Sequence, residues 1–120
     1  MSTRTIIDEY FHRLEQKSDW SACLADDMVF TSFTTPNKRV AGRAAYLEST
    51  KRFYSTIVAV KVKDLVVDGA KACALTHYDL QAPGLPAFNT DVAEVFQVRD
   101  GKIASFDIYF DSAPFPKQPQ

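Results

Sequence analysis

A chain of 120 residues, 46% apolar and 24% charged, is long enough for one hydrophobic core and too short for two, and its balance excludes disordered, collagen-like and disulfide-stapled classes. Fourteen basic residues against fifteen acidic ones, with no block of like charge, leave no footprint for a phosphate backbone, so nucleic acid is not an expected partner. The longest apolar run is four residues and no basic-then-apolar leader opens the chain, which reads as a soluble, cytoplasmic protein without a membrane partner.

Ile6, Ile7, Tyr10, Phe11 and Leu14 repeat at helical spacing behind Ser2 and Thr3, with Asp8 and Glu9 taken as first-turn acids favoured by the helix dipole. They predict an amphipathic helix over 3–17. Trp20, Cys23 and Leu24 carry the helical period on for about two turns, until Asp26 and Asp27 end it as a solvated loop before a short strand at 28–33. Turn-forming residues fill 34–38. A second helix is expected over 42–55, with Tyr46, Phe53 and Tyr54 on its core side. From Ile57 the period changes to two, and strands are expected at 57–67, 71–81, 87–99 and 103–111, joined by turn signals at Asp68-Gly69 and Pro83-Gly84-Leu85-Pro86. The stretch 112–120 holds three prolines and reads as an extended or frayed arm. Cys23 and Cys73 lack metal-ligand spacing and read as buried free thiols. Helices followed by a strand meander make an α+β fold, in which the N-terminal helices pack on the concave face of a strongly curved antiparallel sheet as its only available cover.

The last hairpin closes in one of two registers. A two-residue loop at Asp100-Gly101 sets Glu94 opposite Asp107, and like charges so paired are destabilising. A type I turn with Gly101 at a bulge position instead pairs Phe96 with Ala104, Glu94 with Phe106, Val92 with Ile108 and Thr90 with Phe110. The second is expected, because it makes one face apolar except for Glu94. A carboxylate there must be hydrogen-bonded or shifted upward in pKa. It is either an acid–base or ligand-anchoring group, or a structural one near an open end of the sheet or paired with a helix cation.

The helix carrying Tyr10, the segment Leu24-Ala25-Asp26-Asp27-Met28-Val29-Phe30, the helix start Ala41-Gly42-Arg43-Ala44-Ala45, and the run from Glu94 to Ile103 followed by Tyr109-Phe110-Asp111 resemble the nuclear transport factor 2-like superfamily. Within that group of cystatin-like α+β cones, they are most similar to the SnoaL-like polyketide cyclase and ketosteroid isomerase branch. The resemblance runs from about Thr5 to Phe115 and implies a single domain, a deep apolar pocket at the wide end of the cone and a homodimer through the outer sheet face. Resemblance to ketosteroid isomerases places Tyr10 as an oxyanion donor and Glu94 at or near a protonated carboxylate. That family's base position is Ser32 here, and a serine does not abstract the proton an aspartate does. Resemblance to limonene-epoxide hydrolases sets His77-Tyr78-Asp79 against an Arg-x-Asp pair and Ile108 against a last-strand acid. SnoaL-like cyclases place one Asp or His over an enolisable ketone, for which His77, Asp79 and Glu94 are candidates.

The acid–base candidates are therefore Glu94, His77, Tyr10 and Asp79, and the candidate ligand contacts are Ser32, Thr34, Val92, Phe96, Phe106, Ile108 and Phe110. His77 shares a strand side with Cys73, Leu75 and Asp79, and is either a general base or a rim or dimer-surface residue. Tyr10 either directs its hydroxyl into the pocket or is core. The sequence has no Gly-rich phosphate loop, Cys/His cluster or nucleophile elbow, so neither cofactor nor metal is expected. Three functions fit: an enzyme acting by proton transfer or cyclisation on a small apolar carbonyl compound, a module that binds a small apolar molecule, and an interaction protein whose cone is filled by its own side chains. For the last, either Ile57, Ala59, Lys61 and Lys63 or Val58, Val60, Val62 and Val66 supply the outer face.

Overall fold

The computed structural model describes residues 2–34 and 38–115. Helix α1 (Thr3–Glu15) starts on Ser2, whose Oγ accepts a hydrogen bond from the Thr5 amide at 3.1 Å, and it buries Ile6, Ile7, Tyr10, Phe11 and Leu14. Asp8 and Glu9 fall beyond the first turn and do not serve the dipole; Glu9 pairs instead with Arg13, one turn on, at 2.7 Å. A single 3₁₀ turn (Trp20–Cys23) follows, and Leu24 already opens strand β1 (Leu24–Ser32), where sequence periodicity continues a helix. The acidic pair explains the shift. Between Leu24 and Val29 strand β1 spends four residues where its neighbour spends one, so that exposed Asp26 and Asp27 swing out to Arg43 and Arg99, each at 2.5 Å.

Lys38, expected in a loop, opens the short edge strand β2 (Lys38–Ala41); the rest of that loop, 35–37, lies outside the described residues. Helix α2 (Arg43–Ser55) and strands β3 (Ile57–Asp68), β4 (Lys71–Leu80), β5 (Phe88–Arg99) and β6 (Lys102–Phe110) complete the chain. The strands form one curled, unclosed sheet in the order β2-β1-β6-β5-β4-β3, antiparallel except where β1 and β6 run parallel, and both helices pack on it. The architecture is the expected α+β one, with a mixed sheet.

Bulges set the faces of the sheet. Extra residues at Val58 and Lys63 interrupt the pairing of β3 with β4, so neither alternating set read from 57–67 holds: Ile57 and Val60 are buried, while Val58 and Val66 are exposed. The last hairpin combines both alternatives. Asp100 and Gly101 have φ of 52° and 77°, the two-residue turn that matches strand twist, with Arg99 opposite Lys102. A bulge at Ala104 then moves the register, so that Phe96 pairs with Phe106, Glu94 with Ile108 and Val92 with Phe110. Each partner lies two residues beyond the expected one. A two-residue displacement keeps every side chain on its face, so the turn keeps its favoured geometry and Glu94 still avoids Asp107.

Aromatic rings fill one end of the concave side. Tyr10 meets Phe11, Phe96 and Phe106 edge-on at centroid distances of 5.0, 5.8 and 6.1 Å, and Phe96 meets Phe106 at 4.6 Å. Cys23 is buried and Cys73 half-buried, both as free thiols. Of the arm at 112–120, residues 112–115 turn back on the sheet, Phe115 packing on Phe88 and Phe110; the remainder lies outside the described residues. Among the described residues no helix is long and apolar enough to cross a membrane.

Candidate functional site

The other end of the concave side is hollow. A cavity of about 120 Å³ lies between α2 and the inner faces of β1, β4, β5 and β6. Alternation on the strands turns Tyr78 of β4, Val92 and Glu94 of β5, and Phe106, Ile108 and Phe110 of β6 toward it. Helix α2 contributes Tyr46, Thr50 and Tyr54, a stripe with spacing i, i+4, i+8.

Glu94 is the only carboxyl in this wall and is 2% exposed. Its Oε2 accepts a hydrogen bond from Tyr78 Oη at 2.9 Å and lies 2.7 Å from Thr76 Oγ1. Thr76 Oγ1 is also 3.1 Å from the Val92 carbonyl oxygen, and one hydroxyl proton cannot serve both acceptors. If Glu94 is protonated on Oε2, the acid donates to Thr76 and Thr76 donates to Val92, so that each group is used. If Glu94 is ionised, one of Thr76's two acceptors goes without. It is burial that raises the Glu94 pKa from 4.5 to about 7, while the bonds from Thr76 and Tyr78 act in the opposite direction. Among the described residues no sealed side-chain oxygen lacks a partner, so Oε1, which takes neither bond, is the atom open to the cavity.

A second polar feature is a row of phenols. Tyr10 Oη lies 3.1 Å from Tyr54 Oη, which lies 2.5 Å from Tyr46 Oη. Burial keeps all three, and Tyr78, well above the ordinary phenol range, and charge on Glu94 pushes each the same way, so they remain donors. Three protons serve two bonds within the row. Tyr10 is enclosed by aromatic rings and has no other partner among the described residues, so its proton goes to Tyr54. The remaining proton, on Tyr46 or Tyr54, is not used within the row, and both residues line the cavity beside Thr50.

Several residues singled out from sequence lie elsewhere. Tyr10 stands behind Tyr54 and does not reach the cavity, because its helix places it one layer deeper in the core. His77 and Asp79 point to the convex face, since β4 turns its even-numbered residues inward. There His77 Nδ1 lies 2.8 Å from Asp91 Oδ1 and its Nε2 lies 3.7 Å from Asp79 Oδ1. Phe96 belongs to the packed aromatic end, and Ser32 is buried but is not part of the wall. Thr34 bridges backbone: its Oγ1 donates to the Phe110 carbonyl at 3.0 Å and accepts from the Phe110 amide at 2.7 Å. Thr76, Tyr78, Tyr46, Tyr54 and Thr50 are not among the site candidates that the sequence offers. Two signals could have found them: the polar-tipped helical stripe, and the antiparallel pairing that brings Thr76 and Tyr78 to the face of Glu94. Among the described residues no group of three His, Cys, Asp or Glu side chains is placed to hold a metal ion.

Residues 7–106 match the SnoaL-like domain family. No curated protein matches the chain. Among solved structures, a nuclear transport factor 2-like protein from Burkholderia thailandensis superposes with a TM-score of 0.82 at 16% identity, over 95% of this chain and 94% of the other. An epoxide hydrolase of the LEH-like type from M. tuberculosis gives 0.77 at 23% identity, over 93% and 84%. A protein with a ketosteroid isomerase-like fold from Catenulispora acidiphila, solved with trimethylamine, gives 0.75 at 16% identity, over 91% and 87%. At these identities the likeness is one of fold.

Proposed function

The chain belongs to the SnoaL-like domain family, and we propose that its cavity takes a small apolar carbonyl compound and moves a proton on it, the elementary step of an isomerisation or an aldol-type cyclisation. One observation carries this reading: the single carboxyl among the described residues of a wall of apolar, phenol and threonine side chains is buried and has its pKa raised to about 7, so it both accepts and returns a proton near neutrality. In the step, Glu94 Oε1 takes a proton from the carbon next to the carbonyl, and the C–H electron pair moves toward the carbonyl carbon. The oxygen that gains charge is met by the unused phenol proton of Tyr46 or Tyr54. Return of the proton to another carbon isomerises the compound. Attack of the enolate carbon on a second carbonyl of the same molecule closes a ring, the C=O electron pair moving onto that oxygen, which takes back the proton held on Glu94.

Size narrows the ligand. A cavity of about 150 Å³ holds benzene, so about 120 Å³ suits a single small ring. Epoxide opening in the manner expected from His77, Asp79 and the position of Ile108 is not adopted, because the first two face away from the cavity and Ile108 contributes only apolar wall. The test is exchange of the α-hydrogens of cyclopentanone in D₂O, followed by proton NMR. Exchange above the buffer rate, lost in Glu94→Gln with binding retained, is the expected result. Binding without exchange in the wild type would make the protein a binding module, and exchange that survives Glu94→Gln would remove Glu94 from the step.

A further inference from the structure

Twelve of the thirteen cavity-lining residues stand on α2 or on a strand, where ladders and helical hydrogen bonds fix them; Phe115 alone stands outside any regular element. Among the described residues, the hydrogen bonds of its segment, 112–115, run only to its own base. The Ala113 amide bonds Asp111 Oδ1 at 3.1 Å and the Phe115 amide bonds the Ser112 carbonyl at 3.1 Å. Asp111 is itself anchored to β5, its carbonyl accepting from Thr90 Oγ1 at 2.7 Å and its amide bonding the Asp91 carbonyl at 3.2 Å. Beyond Asp111, the described contact that holds the segment to the body is one aromatic ring, seated against Phe88 and Phe110 with centroids 5.1 Å away in each case. Ser112, Ala113 and Pro114 are exposed and Phe115 is half-buried.

We propose that Phe115 is a displaceable cap that sets the size of ligand the cavity admits. This rests on reading the cavity as a ligand site, though not on any reaction in it. With the ring seated, the space suits one small ring. With the ring withdrawn, the gap between Phe88 and Phe110, at the start of β5 and the end of β6, opens to a longer compound whose second ring takes its place. The displacement costs no ladder hydrogen bond, and for that reason the size limit sits on this residue rather than on a wall strand.

The test compares binding of cyclopentanone and of its two-ring analogue 2-indanone to the full chain by ligand-observed NMR titration. In Phe115→Ala, 2-indanone binding should tighten roughly tenfold, the scale of a well-filled ring-sized space, while cyclopentanone binding weakens through loss of a wall contact. Phe115→Leu keeps an apolar contact and should fall between, which preserves the test if the alanine variant folds poorly. Equal changes for both ketones, no change, or no binding of either would overturn the cap. If cyclopentanone binds but is not exchanged, the proton-transfer reading fails and the cap stands; if exchange persists but the preference does not shift, the reverse holds.

Discussion

Strands β4 and β5 carry two polar clusters built from one ladder, differing in which side of the sheet each residue takes. Thr76, Tyr78 and Glu94 face inward, and His77, Asp79 and Asp91 face outward, with Thr76 opposite Val92 and His77 opposite Asp91. The outward cluster is richer in charge: Asp91 takes His77 at 2.8 Å and Lys63 at 3.3 Å. Those partners hold its carboxyl below the ordinary aspartate range, and with side-chain exposures from 33 to 62% the group is solvated throughout. The inward cluster has one carboxyl and no cation, and burial moves it the other way. A carboxylate with partners in water is comfortable and inert, whereas a carboxyl stripped of water is poised between two states. The proposed proton transfer uses the second, although the first looks more like a catalytic pair.

The comparison is tested most strongly by rate. Glu94→Gln should lower cyclopentanone exchange by about 10²-fold or more, the usual contribution of a positioned base, while His77→Ala should leave it within about twofold. Loss of exchange in the His77 variant would move the site to the convex face.

Stability gives the next largest effect. The Glu94 pKa is raised on folding, so its contribution is fully present below the unfolded value near 4.5 and is lost as pH rises through about 7. The wild type should therefore lose on the order of 3 kcal/mol relative to Glu94→Gln between acid and mildly alkaline pH, at about 1.36 kcal/mol per unit. Denaturant titrations of both proteins across that window read it directly. A constant difference between them would show that the Glu94 pKa is the same in the folded and unfolded states, and so is not raised by burial.

A smaller effect separates burial from hydrogen bonding. The bonds from Thr76 and Tyr78 lower the Glu94 pKa against burial, so Thr76→Val and Tyr78→Phe should each raise it further and move the pH–rate midpoint to alkaline pH. Tyr78→Phe is the cleaner probe, since Thr76→Val also strips a donor from the Val92 carbonyl. A midpoint that moves toward acid would mean that these hydroxyls favour the neutral acid.

The sequence shows the parity of the strands and little of their register. Period two places Glu94 inward from residue types alone, because any pairing that buries Phe96 and Phe106 must carry Glu94 with them; it leaves His77, on one strand side with Cys73, Leu75 and Asp79, open between pocket and surface until the structure turns it outward. The bulges at Val58, Lys63 and Ala104 leave no trace of composition, since an extra residue in a strand can be of any kind; they move partners by one or two positions and, in β3, exchange the faces. Strand β2 is too short and too polar to show a period. Of the site, the apolar wall and its carboxyl are legible. The phenols are not, because Tyr46 and Tyr54 are read by their rings as helix core while their hydroxyls, joined to Tyr10 across 44 residues of sequence, form the polar edge of the cavity.

The smallest expected effect closes the comparison from the convex side. Asp91 has its pKa depressed by the His77 hydrogen bond and by Lys63, so its contribution is present above the unfolded aspartate value and fades as pH falls through the folded one, the opposite sign to Glu94. Its partners lie in water, where ion pairs contribute little and salt screens them. Asp91→Asn should thus shift the melting temperature only slightly at neutral pH, less at high salt than at low, and should leave cyclopentanone exchange unaltered. A large, salt-independent loss would mean that the outer cluster is desolvated in solution, and the convex face would then have to be covered when the protein is folded.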